Sequence, residues 1–558
     1  MGAPRGARSL LVLGLALAGC VPPEPVLVLR SGAIHTMDAS VTIVEAMVVR
    51  DGEIVYLGSD EGTARYEGPD ATILDLAGKV VLPGFHDAHT HLLLSGVDLL
   101  NVDVSSATTV DELVEAVAGW AAANPEAEWV RGGGWSMSDF QGLLHKSQLD
   151  AVVPARPVFL WSVDGHTGFA NSRALELAGI GVGTPDPEDG VIERDESGEP
   201  TGVLQEDAAY LVADLAPDYS DAQVDEGLAS AQREANALGI TTIVEAQVDE
   251  PWLLEGYARA EADGSLSLRV HAAIVVEPED EGFVDRLEAW RDEYESERLV
   301  IDTAKLFLDG IIESGTAYLL EPYADGTNAA PIFTNEQLEA TAIALDAAGF
   351  QLHAHAIGDG ATRQFLDAIE GVRLANGARD RRPILAHLEL VDPSDFPRFA
   401  ALGVYACFQP LWAYPDAYIQ ELTWPVIGPE RSEHLYAIGG LHQAGASIVG
   451  GSDWSVSSMN PFEAIEVAIT RQDPWTDDGL VLTPAHRTDL VTALRAYTST
   501  AAETTFSEER SGTLEEGKRA DFIVVDRDPF EIPPYELSDV RVEQTWLDGE
   551  VVFESDER

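Results

Sequence analysis

Through the middle of the chain, short apolar runs alternate with helix-forming segments, and this alternation restricts the possible folds most strongly. Strand-like runs lie near residues 82–89, 240–246, 270–276, 304–308, 350–355, 383–388, 404–409 and 447–452. In one repeat of the pattern, Asn335 is predicted to cap a helix that ends at Gly349, and the apolar strand Phe350–Ala354 follows. Strands that alternate with helices indicate a parallel sheet, and eight of them predict an α/β fold with a (β/α)8 TIM-type barrel rather than an open sheet.

The two ends of the chain are instead rich in β-type runs separated by turn residues. The predicted strands are Val26–Arg30, Ala46–Arg50, Ile54–Gly58 and Val80–Leu82 near the N-terminus, and Phe522–Asp526, Val540–Leu547 and Val551–Phe553 near the C-terminus. We predict that residues 26–82 and 505–558 pair into one small β-sandwich domain and that residues 83–504 form the barrel. Residues from about 95 to 230 exceed a normal connection between a strand and its helix, so they must contain an inserted subdomain.

The N-terminus has the pattern of an export signal. Arg5 and Arg8 precede the short apolar run Leu10–Ala18, and Leu17-Ala18-Gly19-Cys20 resembles a bacterial lipobox. We predict a lipoprotein signal peptide at residues 1–19, a lipid anchor on Cys20 and a Pro-rich tether at residues 20–25. The protein would then be exported and anchored to the cell envelope, facing the periplasm or the cell surface. Position 21 is not Asp, which favours the outer membrane in a Gram-negative cell. The alternative is an ordinary cleaved signal with an incidental cysteine.

Charge and cysteine content exclude several classes of protein. The formal net charge is −62, and basic residues cluster only at the extreme N-terminus and at Arg379–Arg382, so we predict no nucleic-acid partner. The acidic excess indicates a strongly hydrated surface, with attraction of cationic substrates as the alternative. Only Cys20 and Cys407 are present, which excludes an intrachain disulfide if Cys20 is lipidated. Cys407 lies in an apolar run and is predicted to be a buried structural thiol rather than a nucleophile.

Two histidines close the first predicted barrel strand, in the run Pro83-Gly84-Phe85-His86-Asp87-Ala88-His89-Thr90-His91. Because alternate residues of a strand point to one face, His89 and His91 can present two imidazoles to one metal ion. Lys305 lies inside the fourth predicted strand, where a charged amine is unfavourable unless it is paired or modified. One solution is carboxylation by carbon dioxide, which gives a carbamate that can bridge two metals. The other is an ion pair with a nearby acid such as Asp309.

Residues of the ligand type also end later strands, at His353-Ala354-His355, His387 and Ser452-Asp453. The chain resembles the amidohydrolase superfamily. Besides His387, the matching stretches are Pro83–His91, Lys305-Leu306-Phe307-Leu308-Asp309-Gly310, His355-Ala356-Ile357-Gly358-Asp359, Ser452-Asp453-Trp454 and the tail Ser511–Asp521. Within that superfamily it resembles the YtcJ-like or N-substituted formamide deformylase-like branch (amidohydrolase family 3). The resemblance extends over nearly everything after residue 26.

The resemblance implies a binuclear metal site and assigns roles to particular residues. His89, His91 and Asp453 would hold one metal, and His355 and His387 the other, with N6-carboxylated Lys305 as the bridge. Asp453 would also be the catalytic acid and base. His353 does not fall on a ligand position, and His86 replaces a residue that is usually aliphatic.

Three further residues are candidates for contact with the substrate. Gly132-Gly133-Gly134-Trp135 and Asp164–Ser172 resemble substrate-side segments of the family. They predict Trp135 and His166 in the pocket, with His166 polarising the substrate carbonyl. Gln409, at the end of the seventh predicted strand, is a third candidate contact. The alternatives are core packing for Trp135 and local backbone hydrogen bonding for Gln409.

These features together predict a metal-dependent amidohydrolase, of the class that acts on C–N bonds other than peptide bonds. Metal-activated water would cleave a small-molecule amide, N-formyl, N-acyl or cyclic amide substrate. The resemblance implies two metal ions per chain. Imidazole and carboxylate ligands, together with export to an oxygen-exposed compartment, favour zinc, with iron, manganese or nickel as the alternatives that the ligand types also allow. The alternatives are an esterase or other carbonyl hydrolase on the same site, or a non-catalytic surface lipoprotein that kept the fold.

Overall fold

The computed structural model describes residues 26–140, 142–187, 189–476 and 479–555. The predicted signal peptide and the whole predicted tether, including Cys20, lie outside these residues, so the lipid anchor and the localisation stay predictions. Within the described ranges, no helix combines the length and the apolar character that crossing a membrane would require.

The strands of the described residues alternate with helices through most of the chain. The strands are β1 (Val26–Arg30), β2 (Ala33–His35), β3 (Ile43–Val44), β4 (Ala46–Arg50), β5 (Glu53–Gly58), β6 (Ala71–Asp75), β7 (Val80–Pro83), β8 (Phe85–Thr90), β9 (Val102–Asp103), β10 (Val130–Trp135), β11 (Val158–Ser162), β12 (Thr167–Ala170), β13 (Gly190–Arg194), β14 (Pro200–Glu206), β15 (Ile240–Val248), β16 (Arg269–Val275), β17 (Leu299–Phe307), β18 (Gln351–Ala356), β19 (Ile384–His387), β20 (Tyr405–Phe408), β21 (Ser447–Gly450), β22 (Phe522–Val525), β23 (Val542–Leu547) and β24 (Glu550–Glu554).

The helices are α1 (Asp60–Thr63), α2 (Leu92–Asp98), α3 (Val110–Ala123), α4 (Met137–Phe140), α5 (Lys146–Val152), α6 (Ser172–Leu177), α7 (Asp207–Ala213), α8 (Asp221–Ala237), α9 (Pro251–Asp263), α10 (Phe283–Tyr294), α11 (Asn335–Ala347), α12 (Asp359–Asn376), α13 (Phe396–Leu402), α14 (Trp424–Ile427), α15 (Pro429–Ser432), α16 (Ile438–Gln443), α17 (Pro461–Thr470), α18 (Leu490–Ala496) and α19 (Ser499–Thr504). Short 3-10 turns occupy Pro410–Trp412, Pro484–His486 and Pro534–Asp539, and Ile419–Thr423 is a π turn.

Eight parallel strands form the barrel, in the order β8, β15, β16, β17, β18, β19, β20, β21. The two ends of this order lie side by side, since the Asp453 amide just after β21 donates to the His89 carbonyl in β8 at 2.8 Å. The sheet is therefore nearly closed, and the predicted (β/α)8 barrel is confirmed. Burial on both faces explains why the strands could be recognised from the sequence as apolar runs.

The start of α11 corrects one prediction. Thr334, not Asn335, is the N-cap, and its side chain accepts a hydrogen bond from the Gln337 amide. The Gln337 side chain accepts in return from the Thr334 amide at 2.9 Å. This reciprocal pair requires Glu or Gln three residues after the cap, and Gln337 meets this requirement for Thr334 but not for Asn335.

The long connection between β8 and β15 contains a sheet of its own. Its strand order is β13, β14, β12, β11, β10, β9. β10 is parallel to both of its neighbours, β9 and β11, and the other neighbouring strands are antiparallel. Buried side chains of this segment, including Val130, Leu160 and Phe169, form a hydrophobic cluster separate from that of the barrel. This insertion therefore has its own core, and it follows the strand that carries His89.

The two ends of the chain pair with each other as predicted. β7 lies between β2 and β22, and Pro83 of β7 pairs with Phe522 of β22. One sheet has the order β24, β23, β22, β7, β2, β3, and the other has the order β5, β4, β1, β6. Leu29 from the second sheet and Phe522 from the first share one buried cluster. The small β-sandwich beside the barrel is therefore confirmed, while the exact domain limits stay predictions.

A buried ion-pair network joins the barrel to the β-sandwich, and its loss should destabilise the protein. Arg269 of β16 is 5% exposed and contacts Asp521 at 3.3 Å and also Asp548. Arg269→Met should lower the free energy of unfolding by about 3–5 kcal/mol, because it leaves the buried carboxylate of Asp521 without its paired cation. Asp548 is more exposed and keeps its ion pair with Arg298. Denaturant unfolding followed by circular dichroism measures this change. Glu176→Ala, which removes the exposed pair with Arg173, is the control and should change the value by less than about 1 kcal/mol. Equal effects of the two variants would contradict a structural role for Arg269.

Candidate metal centre and active site

The predicted metal ligands meet at one mouth of the barrel. His89 lies near the end of β8 and His91 directly follows that strand. Lys305 lies near the end of β17, and His355 lies near the end of β18. His387 ends β19, and Asp453 follows β21. All six are at the carboxyl ends of parallel strands, where the active sites of TIM barrels form. His387 and Asp453 adopt positive φ values of 77° and 54°, which turn the chain sharply after their strands.

His89, His91 and Asp453 form a preformed ligand set. Asp453 Oδ1 lies 3.2 Å from His89 Nε2 and 2.9 Å from His91 Nε2, and the ligand atoms of the three residues are within 4.8 Å of one another. Ligand atoms that share one zinc ion at about 2.0–2.2 Å are themselves about 3–4 Å apart. Burial acts to raise the pKa of Asp453, but hydrogen bonds from the two histidines hold this pKa well below its usual value. The donor types and spacing fit a divalent metal ion.

Lys305 lies beside this set and is fully buried. Its Nζ is 3.5 Å from His89 Nε2 and 4.7 Å from the centre of the Phe307 ring. Burial lowers the pKa of Lys305 to about 8. Asp309, the acid considered as its ion-pair partner, instead contacts His355 Nδ1 at 3.3 Å. Lys305 is therefore a buried amine next to the ligand set, without the proposed carboxylate partner.

His355 and His387 lie next to each other, with ring centroids 4.5 Å apart, and His387 is 4.7 Å from His89. The Nδ1 side of each ring is held by a neighbour. Asp309 Oδ1 lies 3.3 Å from His355 Nδ1, and Gln409 Oε1 lies 2.8 Å from His387 Nδ1. Asp309 is itself fixed by the amides of Tyr318, Ile357 and Gly358. A neighbour on Nδ1 sets the tautomer and leaves Nε2 for a metal.

Three side chains around the ligands were not included in the predicted site. His353 Nε2 lies 2.9 Å from His89 Nδ1, so this residue, which had been left out, supports a ligand. Its spacing of two residues from His355 on β18 was the available signal. Asp87 accepts from the amides of His89 and Ser452 and so links β8 to the segment after β21. Asp309 had been considered only as a partner of Lys305. Nothing in the sequence indicated the contacts of Asp87 or Asp309, which join distant segments.

The contact with His353 predicts a measurable effect on metal affinity. His353→Phe keeps a planar ring but removes the nitrogen that orients His89, so metal affinity should fall by about 10–100-fold. Competition with a chromophoric chelator measures this affinity. His442→Phe on the exposed face of α16 is the matched control and should leave the affinity unchanged. An unchanged affinity in His353→Phe would show that His89 needs no support from this ring.

Of the predicted substrate contacts, His166 lies near the metal centre, whereas Trp135 lies in the core of the insertion. His166 lies at the mouth, 6.1 Å from His355 between ring centroids, and its Nδ1 is 2.9 Å from Glu206 Oε2. Burial acts to lower the pKa of His166, but Glu206 and Asp164 raise it to about 9, so the ring is a cation at neutral pH. Trp135 is 3% exposed within the core of the insertion and donates to the Leu160 carbonyl at 3.2 Å. This position corresponds to the packing alternative.

The sequence also singled out Gln409, His86 and Cys407, and the structure gives the surroundings of each. Gln409 is fully buried, and its contact is with the His387 ring, so it orients a ligand rather than facing an open pocket. The charges that act on His86 belong to His271, Arg269 and Arg519, and not to the ligand residues. The predicted burial of Cys407 is confirmed, and burial raises the pKa of its thiol well above the usual value, unlike that of a nucleophile.

Comparison with known proteins identifies the family of this chain. Residues 72–553 match the Amidohydrolase family. The putative amidohydrolase YtcJ of Bacillus subtilis is 31% identical over 94% of this chain and 99% of its own length. The N-substituted formamide deformylase of Arthrobacter pascens is 31% identical over 95% of this chain and 98% of its own length. The structure of an uncharacterized metal-dependent hydrolase from Pyrococcus furiosus, 27% identical, superposes with a TM-score of 0.72 over 91% of this chain and 100% of that one. The chain belongs to the amidohydrolase family, in the branch that resembles YtcJ and the formamide deformylase.

Proposed function

We propose that the protein hydrolyses a C–N bond of an amide-type small molecule and that a divalent metal, zinc in two sites, supports this reaction. One observation carries the proposal. His89, His91 and Asp453 place their ligand atoms within 4.8 Å of one another, next to the fully buried Lys305. Relatives of similar length named as an amidohydrolase and a formamide deformylase support the choice of an amide bond.

The positions of the side chains support the proposed ligand arrangement. His89, His91 and Asp453 would hold one ion, and His355 and His387 the second. Lys305 would bridge them after its neutral amine attacks carbon dioxide, forming an N–C bond and releasing one proton. The lowered pKa of Lys305, a result of burial, favours that neutral amine. When bound, the metals would supply Lewis-acid chemistry, lowering the pKa of water to about 7 and polarising a carbonyl group.

The residues of the chain would carry the proton transfers and the orientation of the substrate. The low pKa of Asp453 keeps it ionised, so it can accept a proton from the attacking water and then donate it to the leaving nitrogen. The cationic His166 would donate a hydrogen bond from Nε2 to the carbonyl oxygen, since Glu206 holds its Nδ1. Gln409 would keep His387 in a fixed orientation.

A matched substrate panel tests the proposed function. The zinc-loaded protein should release amine from N-formyl, N-acyl or cyclic amides, and removal of the metal by a chelator should lower this rate by at least about 10³-fold. Esters with the same acyl groups test the carbonyl-hydrolase alternative in the same assay. Faster turnover of every ester than of its matched amide would favour that alternative. If no member of the panel is hydrolysed after metal reconstitution, a non-catalytic binding protein is favoured instead.

A further inference from the structure

One carboxylate joins His166 of the insertion to a loop of the barrel. Glu206 ends β14, and its Oε2 lies 2.9 Å from His166 Nδ1. Its other oxygen, Oε1, accepts a hydrogen bond from the Thr316 hydroxyl at 2.9 Å. Thr316 belongs to the loop that follows β17, the strand of Lys305. The ring of His166 is therefore held, through Glu206, by a barrel loop distant in sequence.

The neighbours of Thr316 fix the direction of its hydroxyl. The Ile311 amide donates to Thr316 Oγ1 at 2.9 Å, and the charged oxygen of Glu206 is a nearer acceptor for the hydroxyl proton than the Ile311 carbonyl at 3.3 Å. Ser314 Oγ lies 2.7 Å from Thr316 Oγ1 and 3.4 Å from Glu206 Oε1. Burial acts to raise the pKa of Glu206, but His166 and these hydroxyls hold it below its usual value. An ionised carboxylate only accepts, so His166 donates from Nδ1.

The backbone on both sides of this contact is adapted to it. A Cβ at Gly310 would lie 2.2 Å from Thr316 Oγ1 and 3.1 Å from Glu206 Oε1, so a larger residue would displace the pair. Glu206 has a φ of 48° and a ψ of −130°, a conformation that residues other than glycine rarely adopt. Its amide donates to the His166 carbonyl at 2.9 Å. Such strain persists where surrounding contacts hold it, and it is frequent at functional sites.

A second carboxylate holds the backbone of His166 independently of its ring. Asp164 Oδ1 accepts from the His166 amide at 3.0 Å, and Asp164 Oδ2 accepts from the Tyr418 hydroxyl at 2.8 Å. Tyr418 lies in the segment that follows β20, beyond Gln409. Because these contacts fix the backbone, loss of the contact with Glu206 should change the orientation of the His166 ring rather than the path of its loop.

We propose that Glu206 and Thr316 are positioning residues that act through His166, holding its Nδ1 so that Nε2 is presented to the substrate. This rests on the proposed function, in which His166 Nε2 donates to the substrate carbonyl. It adds that the loop after β17 places a side chain of the insertion, whose ring centroid is 6.1 Å from that of His355. The same loop begins with Asp309, which contacts His355. The substrate side and the metal side of the site would then share one support.

The kinetic test removes one hydroxyl group. Thr316→Val keeps the branched shape of the side chain and should lower kcat for the best amide of the panel by about tenfold, with KM changed by less than about threefold. Thr316→Ser keeps the hydroxyl and should stay within about twofold of the unmodified protein. In a His166→Gln background, Thr316→Val should change kcat by less than about twofold, because the residue through which it acts is absent. A purely structural role would give the same loss in both backgrounds.

The Nδ1 proton of His166 gives a second readout that needs no substrate. A proton in a charge-assisted hydrogen bond to a buried carboxylate resonates far downfield in NMR spectra. The zinc-loaded full chain with isotope-labelled histidine should show this signal, and His166→Gln should remove it. Thr316→Val should shift the signal, because Glu206 loses a donor that holds it. Thr72→Val, on the exposed side of β6, is the matched control and should change neither the signal nor kcat.

The two readouts separate the positioning from the proposed function. Glu206→Gln should lower kcat and shift the signal in the same way, and it serves the test if Thr316→Val does not fold. A signal that neither variant changes, or an equal loss of kcat with and without His166, would overturn the positioning role. A signal that responds as expected while no member of the panel is hydrolysed would keep the positioning of His166 and count against the proposed function.

Discussion

Asp453→Asn is expected to lower kcat by about 10²–10⁴-fold, while KM changes by less than about threefold. The amide keeps the size of the carboxylate and an oxygen near His89 and His91, but it can no longer accept a proton from water. Steady-state kinetics on the best substrate of the panel, with metal content measured on the same preparation, checks this expectation.

The comparison of kcat with metal content separates the role of Asp453 as a metal ligand from its role as the proton acceptor. Asp70→Asn, in an exposed loop before β6, is the control for the same chemical change and should keep full activity. If Asp453→Asn lost its metal, the carboxylate would be chiefly a ligand. If it kept both metal and full activity, Asp453 would not be the proton acceptor.

Lys305→Met should remove the bridge between the two metal sites and lower kcat/KM by at least about 10³-fold, with less metal bound per chain. Methionine fills a similar volume in the fully buried position, so the loss would reflect chemistry rather than a cavity. Elemental analysis gives the metal content, and the amide assay gives the rate.

A second variant asks whether a carbamate is what the lysine supplies. Lys305→Ala leaves space in which an added acetate ion can place a carboxylate, so acetate should restore part of the lost activity. Acetate should not rescue Lys305→Met, because the methionine side chain occupies that space. Full metal content and full activity in Lys305→Met would contradict a bridging role for Lys305.

The barrel could be predicted from the sequence because its strands are buried on both faces and read as uninterrupted apolar runs. All eight runs correspond to strands, from β8 to β21. The N-cap of α11 was misplaced by one residue because Thr334 and Asn335 are both good caps, and only the partner at Gln337 decides between them.

The candidate site was predictable where ligand-type residues end strands, and less so where contacts join distant segments. His89 and His353 are separated by 264 residues, and His166 and Glu206 by 40 residues in an insertion whose path no periodicity gives. Trp135 and Gln409 were placed near the substrate by their segments. In the structure, Trp135 packs in the insertion and donates to the Leu160 carbonyl, and Gln409 orients the candidate metal ligand His387.

Anomalous diffraction at the zinc absorption edge, from crystals of the zinc-loaded protein, locates the metal ions relative to the predicted ligands. We predict one peak in contact with His89, His91 and Asp453 and a second in contact with His355 and His387, with density for a carbamate on Lys305 between them. A fully loaded protein whose anomalous peaks lie away from these side chains would contradict the proposed metal centre.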